Sequence, residues 1–378
     1  MTVFLKGTKT AICDYITQVV DARLAVEAND QSSISHSYVF LEEQSGQGLL
    51  FVLRYPSGMK LDAKTYFDLY DIIAPAISKE KTMIRPLTFQ LVPINNMPIE
   101  TSVGFFFPWR NGRASRLVGS INEVLSGYDL NQEIPIMKGM TAGTNVRSYL
   151  ITGNTGSGKT EAFKYFEQVF SRTTNRSGTK SAKVIIFDSK KGAGSRWAKR
   201  NNPEIELIVP KEGDRPEDYI PRCNRRLEQI VVEMNHRQDE LYNFSNRITT
   251  DANELDVPPI WVMFEEFEGV TLGMSPRSSQ IQDLYRLLTL IALLGRESLV
   301  RLCITSQIAR NDVIPIPIRS QMLVKILLGV IDSTSTAYLF GDLSDNIPLP
   351  IGGKGSGIIS INDGYHYGIE PVEMPTIY

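Results

Sequence analysis

Residues 153–160 read Gly153-Asn154-Thr155-Gly156-Ser157-Gly158-Lys159-Thr160, the spacing G-x-x-x-x-G-K-[ST]. These residue types suit one task, which is holding a chain of phosphates. Gly153, Gly156 and Gly158 let the backbone take positive φ and turn its N–H groups inward around phosphate oxygens. A helix opening near Lys159 adds the positive end of its dipole. Lys159 can reach the β- and γ-phosphates, and the Thr160 hydroxyl can hold Mg²⁺. The apolar run ahead of the loop (Tyr149-Leu150-Ile151) and the helix-forming stretch behind it (Glu161 to Phe166) supply the strand–loop–helix context this chemistry requires. The expected cofactors are ATP and Mg²⁺.

Three further apolar runs end in polar residues. Ile260-Trp261-Val262-Met263-Phe264 runs into Glu265-Glu266. One carboxylate can hold the metal shell, Glu265 in our reading, and the next, Glu266, can polarise an attacking water. Val184-Ile185-Ile186-Phe187 runs into Asp188-Ser189-Lys190. Asp188 either points into the nucleotide site or caps a helix and leaves Lys190 solvated. Leu302-Cys303-Ile304 runs into Thr305-Ser306-Gln307, where the Gln307 amide can sense the γ-phosphate or orient water.

Runs of this kind are positioned by a sheet. From Ile134 onward short apolar strands alternate with helices, the strands falling at 149–152, 184–187, 205–209, 260–264, 302–305 and 323–328. The alternation predicts an α/β domain over 134–378 with a mostly parallel sheet covered on both faces. Right-handed crossovers then gather the strand C-termini along one rim. Residues 1–110 read as a separate small α+β domain. It has a helix over 8–28, a hairpin joining 38–41 to 49–53, a helix over 62–73 and strands at 87–92 and 105–107. Nothing in it suggests catalysis, and assembly or interaction is its expected role. Residues 111–133 form a polar connector with a short helix near 117–125.

The 378-residue chain is 42% hydrophobic and 22% charged, with a net charge of −2, so it is not a polycation that coats nucleic acid overall. Any such contact must be local. The stretch 171–200 holds Arg172, Arg176, Lys180, Lys183, Lys190, Lys191, Arg196, Lys199 and Arg200 against the single acid Asp188. That composition suits phosphate-backbone contact without sequence choice, or a solvated loop and helix face. Cys13, Cys223 and Cys303 have neither metal nor redox spacing and read as reduced thiols. No segment reaches the roughly twenty apolar residues that span a bilayer, and the N-terminus has no signal-peptide pattern. The expected location is cytoplasmic, with any membrane contact made through partners.

In order, these strand ends resemble the motor domain of the FtsK/SpoIIIE family of DNA translocases. That family has G-T-T-G-S-G-K-S, Asp-Pro-Lys and Asp-Glu-Phe at strand ends. Here the matching residues are Gly153 to Thr160, Asp188-Ser189-Lys190 and Glu265-Glu266-Phe267. A later A-R-x-x-G-I-H-L-x-x-A-T-Q-R segment is similar to Gly295-Arg296-Glu297-Ser298-Leu299-Val300-Arg301-Leu302 followed by Ile304-Thr305-Ser306-Gln307. Ile316-Pro317-Ile318-Arg319, Ile331-Asp332-Ser333 and Leu339-Phe340-Gly341-Asp342 follow in the family's order. The resemblance spans about 134–365 and implies a RecA-like P-loop ATPase. Such a motor assembles as a ring, usually a hexamer, and pulls double-stranded DNA through its pore. In scale it is similar to coupling proteins of conjugative elements, which suggests membrane-bound transfer machinery as a partner of the N-terminal domain. Arg296 and Arg319 are then candidate arginine fingers for a neighbouring subunit, or structural ion-pair members. Three positions depart from the pattern: Glu265 stands for Asp, Ser189 for Pro and Arg301 for His. A protein-secretion ATPase, a nucleotide-gated scaffold with weak hydrolysis, and single-stranded DNA as cargo are the alternatives.

Overall fold

The computed structural model describes residues 5–28, 38–54, 59–94, 103–143, 146, 148–245, 248, 250–341, 352–366 and 368–378. They fall into two compact units. One is Met1–Ala114 with Gly364–Pro371; the other is Ser115–Ser344 with Ile351–Asp363 and Val372–Tyr378.

The first unit contains β1 (Gly7–Thr8), α1 (Ala11–Ala28), β2 (Tyr38–Glu43), β3 (Gly48–Leu53), α2 (Ala63–Ile77), β4 (Lys81–Met83), β5 (Leu91–Pro93) and β6 (Val103–Asn111). The strands form an antiparallel sheet in the order β1-β2-β3-β6-β4, with β5 also on β6. One face buries Phe40, Phe51, Phe105 and Phe107 against Tyr66 and Tyr70 of α2. Tyr66 stacks on Phe107 at 4.3 Å between ring centroids. Asp62 caps α2 by accepting a hydrogen bond from the Thr65 N–H at 2.9 Å. The helix runs past Ile73 to Ile77 because Pro75 lies in its last turn, where little of the ladder remains to be broken. The strand expected over 87–92 shrinks to β5, because β6, at nine residues, supplies the central strand instead.

The second unit contains β7 (Val118–Gly119), α3 (Ile121–Leu125), β8 (Glu133–Met137), β9 (Met140–Gly143), β10 (Ser148–Gly153), α4 (Lys159–Phe170), β11 (Lys183–Asp188), α5 (Ala193–Asn201), β12 (Glu206–Ile208), α6 (Pro216–Phe244), β13 (Ile260–Glu265), α7 (Phe267–Thr271), α8 (Ser279–Leu294), β14 (Val300–Ser306), α9 (Ile316–Arg319), β15 (Val324–Leu328), α10 (Ser333–Phe340), β16 (Ser356–Ile361), β17 (Ile369–Glu373) and β18 (Thr376–Ile377). The helix expected over 117–125 starts later. Ser120 and Glu123 form a capping box that fixes its start at Ile121, which leaves 118–119 to pair with β18.

The main sheet runs β12-β11-β13-β14-β10-β15-β16, with β17 beyond β16. Every pair from β12 to β15 is parallel, and β16 is antiparallel to β15. The expected α/β fold with a mostly parallel sheet is therefore present. Its strands are buried on both faces, which is why they read as continuous apolar runs. Trp261 of β13 stacks on Phe170 of α4 at 3.5 Å, and Phe187 on Phe264 at 4.6 Å, pinning α4 and the central strands together. The register aligns the ends: Asp188 lies opposite Glu265, Thr152 opposite Ser306 and Gly153 opposite Leu328. One rim therefore carries the end of every strand that the sequence singled out.

Candidate active site

The loop from β10 to α4 has the expected backbone. Gly153, Gly156 and Gly158 take φ of 149°, 84° and 104°. A Cβ on Gly153 would lie 2.2 Å from the Leu328 carbonyl oxygen, and one on Gly158 would lie 2.6 Å from the Gly355 nitrogen. Neighbouring backbone presses on the loop from outside, so only glycine fits. Lys159 opens α4 and is buried, its ammonium donating to the carbonyls of Gly153 at 2.5 Å and Asn154 at 3.0 Å. Burial pushes its pKa down, while the charges of Glu266 and Glu268 oppose the shift. The Ser157 hydroxyl is buried in the loop with no hydrogen-bond partner among the described residues. Thr160 is exposed in the first turn of α4, and Thr155 is exposed on the loop. Asn154 accepts from the Val330 N–H at 3.3 Å and so ties the loop to the end of β15. Inward-curled backbone, an orphaned hydroxyl and a lysine bonded only to carbonyls fit a triphosphate.

Beside this cradle, adjacent strand ends carry a chain of polar contacts. Lys190, just after β11, bonds the Glu266 carboxylate at the end of β13. The Gln307 amide, after β14, donates to the other Glu266 oxygen at 3.4 Å. Strand β14 separates β13 from the phosphate loop's own strand, so Glu266 stands two inter-strand spacings away, about 10 Å. That distance leaves room for a phosphate and a water. Glu266 holds φ 52° and ψ 68°, left-handed for a non-glycine residue, and its N–H donates to Thr305 Oγ1 at 3.0 Å. Such strain persists only where neighbours enforce it, and it aims the side chain along the rim. Burial works to raise the Glu266 pKa, but the Lys190 ammonium, the Gln307 amide and the Lys159 charge outweigh it and hold the group ionised.

Glu268 completes the rim, and the sequence reading missed it. Its two oxygens accept from the Gln307 N–H at 3.0 and 2.9 Å, and it also bonds the Ser306 hydroxyl. The signal was the run Glu265-Glu266-Phe267-Glu268, whose last carboxylate falls in the first turn of α7.

Glu265 and Asp188 face the other way. Glu265 is buried, its oxygens accepting from the Gly194 N–H at 3.2 Å and the Ser195 N–H at 3.3 Å at the start of α5. Burial and then the Asp188 charge push its pKa up to about 7. Asp188 accepts from the Lys190 N–H at 2.8 Å, the Gly192 N–H at 2.5 Å and the Ser195 hydroxyl. Of its two readings, the structure therefore takes the helix-capping one. Of the two expected metal ligands, Thr160 is presented on α4, whereas the Glu265 carboxylate is occupied by α5. The residues present thus fit the triphosphate better than they fit its metal.

Other expected residues disperse. Arg319 donates to the Ala309 carbonyl and to Asn311 Oδ1 at 2.6 Å and lies over Tyr338, bracing the segment between β14 and α9. Arg296 sits in the turn before β14, at the opposite end of a seven-residue strand and so about 20 Å from the rim. Neither touches the phosphate loop of its own chain. Arg301 lies over Trp261 at 5.0 Å and is buried. The basic stretch is divided by β11. Arg172, Arg176, Lys180 and Lys183 precede that strand, Lys190 and Lys191 follow it on the rim, and Arg196, Lys199 and Arg200 ride on α5. A contiguous run in sequence becomes separate patches because a six-residue strand carries the chain about 20 Å. Asp332 caps α10 through the Ser335 N–H at 2.9 Å, and Asp342 lies outside the described residues.

No family model matches the chain. A curated relative, the FtsK domain-containing protein YdcQ of Bacillus subtilis (strain 168), is 26% identical over 217 residues, covering 56% of this chain and 41% of that protein. The chain thus spans less than half the length of that relative. Among solved structures, the pCW3 conjugation coupling protein TcpA, a monomer form with ATPγS, superposes with a TM-score of 0.55 at 13% identity, covering 95% of this chain and 94% of that one. EssC (ATPases 2 and 3) of Geobacillus thermodenitrificans gives 0.49 at 17% identity over 70% of this chain and 46% of its own. No helix among the described residues is long and apolar enough to cross a membrane. In strand order, in phosphate loop and in a stretch of shared sequence, the second unit is an FtsK/SpoIIIE-like P-loop motor fold.

Proposed function

We propose that the chain is an ATPase that uses hydrolysis to move double-stranded DNA, acting in a homo-oligomeric ring and serving transfer of a mobile element. The observation that carries the reading is the rim itself, where the Lys159 loop, Gln307 and a held, ionised Glu266 stand on successive strand ends. Bound Mg²⁺-ATP supplies the phosphoanhydride and the charge compensation at it. The chain's part is to cradle the phosphates with the backbone of 153–160, neutralise them with Lys159, and orient a water with Glu266. Gln307 joins Glu266 to the β14 end, and β14 continues into the Arg319-braced segment. A change at the γ-phosphate position therefore has a covalent route to Arg319, a candidate finger for a neighbouring subunit.

Duplex DNA is favoured as cargo by two points. The fold covers nearly the whole of a conjugation coupling protein. Exposed Lys190 and Lys191 lie on the rim, with Arg196 on the helix that follows. Contacts from the first unit to a membrane-bound machinery are part of the same proposal.

The test is phosphate release with and without linear duplex DNA, single-stranded DNA or unfolded polypeptide, over a salt series. Duplex should stimulate turnover, and the stimulation should fall steeply between 50 and 200 mM salt. Stimulation by polypeptide alone would replace DNA with a secreted protein as cargo. Absence of turnover with every polymer would leave a nucleotide-gated scaffold.

A further inference from the structure

A cavity of about 560 Å³ opens on the flank of α4 next to the phosphate loop, within the second unit. Its walls include Gly158, Glu161 and Ala162 on the α4 side, Trp197 of α5, and the C-terminal residues Met374 and Thr376. We propose that this cavity takes the nucleoside half of the nucleotide, the base and its ribose. The inference rests on the triphosphate reading above and deepens it.

Three observations support it. First, Gly158 is common to the phosphate cradle and the cavity wall, so a ligand whose phosphates lie in the loop extends into this space without crossing protein. Second, the far wall is fastened to the loop. The Gly355 N–H donates to the Ser157 carbonyl at 2.7 Å, and the Met374 N–H donates to the Gly355 carbonyl at 2.8 Å. Lys354 also pairs with Glu161 at 3.6 Å. Third, one guanidinium holds that wall together. Arg116 donates to Glu373 at 3.0 Å, the Lys354 carbonyl at 3.0 Å, Ser356 Oγ at 3.2 Å and Thr376 Oγ1 at 3.3 Å. Arg116 is thus a positioning residue whose fork ties the 354–356 turn to the C-terminal strand. Such a built, mixed apolar and polar cavity is of the size that ligand pockets have, about 300–1,000 Å³. The indole of Trp197 and the Met374 side chain offer apolar surface for a planar ring, while Lys354, Glu161 and Thr376 offer polar groups for the sugar.

The experiment compares ATPγS with inorganic tripolyphosphate by titration calorimetry. Thr376 is exposed and lines the cavity, so Thr376→Trp fills the space without loading the core. Ile377→Trp is a second filling variant, and circular dichroism checks that each remains folded. The wild type should bind ATPγS at least about tenfold more tightly than tripolyphosphate, as expected when base burial adds to phosphate contact. The tryptophan variants should erase that difference and leave tripolyphosphate affinity unchanged. Equal affinities in the wild type, or a difference that survives in both folded variants, would overturn the nucleoside pocket while leaving the phosphate site standing. Failure of the wild type to bind either ligand would instead overturn the nucleotide reading on which the pocket depends.

Discussion

Glu167 is the most stringent test of how this site's carboxylates are arranged. It lies on α4, two turns beyond Lys159, and is fully buried. Neither of its oxygens has a hydrogen-bond partner among the described residues. Burial, and then the Glu265 charge, push its pKa from 4.5 to about 9. The folded protein therefore keeps a proton that the unfolded chain releases above pH 4.5. Stability from this group is complete at acid pH and drains away as pH rises toward about 9. Each pH unit in that window is worth about 1.4 kcal/mol, so the group costs about 3 kcal/mol at pH 7. Glu167→Gln keeps the shape and removes the titration. Its amide leaves the same orphaned polar atoms at every pH, so the informative quantity is the slope. Urea titrations at pH 5.5, 7 and 8 should show the variant gaining on the wild type by about 3 kcal/mol across the series. Glu265, whose pKa is raised to about 7, works in the same direction in both proteins and cancels in the difference. A stability difference that does not change with pH would refute the reasoning, because it would mean that Glu167 is ionised or solvated in the folded state.

Glu266→Gln should keep nucleotide affinity and lower turnover by about 10²–10⁴-fold, the range for loss of a general base, read as phosphate release at saturating ATP. Lys190→Met removes the ammonium that holds Glu266 ionised, so the acid limb of the turnover–pH profile should move to higher pH, and an unmoved limb would detach Lys190 from the base. Gly153→Ala would press a methyl into the Leu328 carbonyl at a φ of 149°. It should cost more than about 1 kcal/mol of stability and abolish nucleotide binding, measured by thermal melting with and without ATPγS.

How much of this was legible in the sequence depended on where the information lies along the chain. A parallel sheet buries both faces of its strands, so apolar runs stop abruptly at the polar rim, and the stops marked Gly153, Asp188, Glu265 and Gln307 directly. Glu167 was legible too, though unread. Phe163, Phe166, Glu167 and Phe170 recur at helical spacing, which puts a carboxylate on the buried stripe of α4. The wall made by Arg116, the 354–356 turn and the C-terminal strand was not legible, because its parts are more than two hundred residues apart and meet only through the fold. The basic stretch misled for the converse reason. Proximity in sequence says little about proximity in space once a strand intervenes.

Glu265 and Glu266 show why a motif fixes residue types before roles. They are consecutive, yet the first continues β13 and turns its carboxylate onto α5, while the second leaves the strand in a left-handed conformation and lies along the rim. Their surroundings then drive them apart. Glu265 is desolvated beside Asp188 and titrates near neutrality, whereas Glu266 is held below the usual carboxylate range among two lysines and an amide. Two acids separated in this way can take different roles at one pH. The ionised one suits a base, and the one near neutrality suits a contact that is made or released as charge at the site changes. The extra methylene of glutamate over aspartate matters here. It carries the Glu265 carboxylate to the N–H groups of Gly194 and Ser195, and a shorter side chain at this position would have to give them up. Glu265→Asp should therefore loosen the start of α5, seen as faster hydrogen exchange at Gly194 and Ser195, before any effect on turnover is considered. Unchanged exchange there would show that α5 does not depend on the length of this side chain.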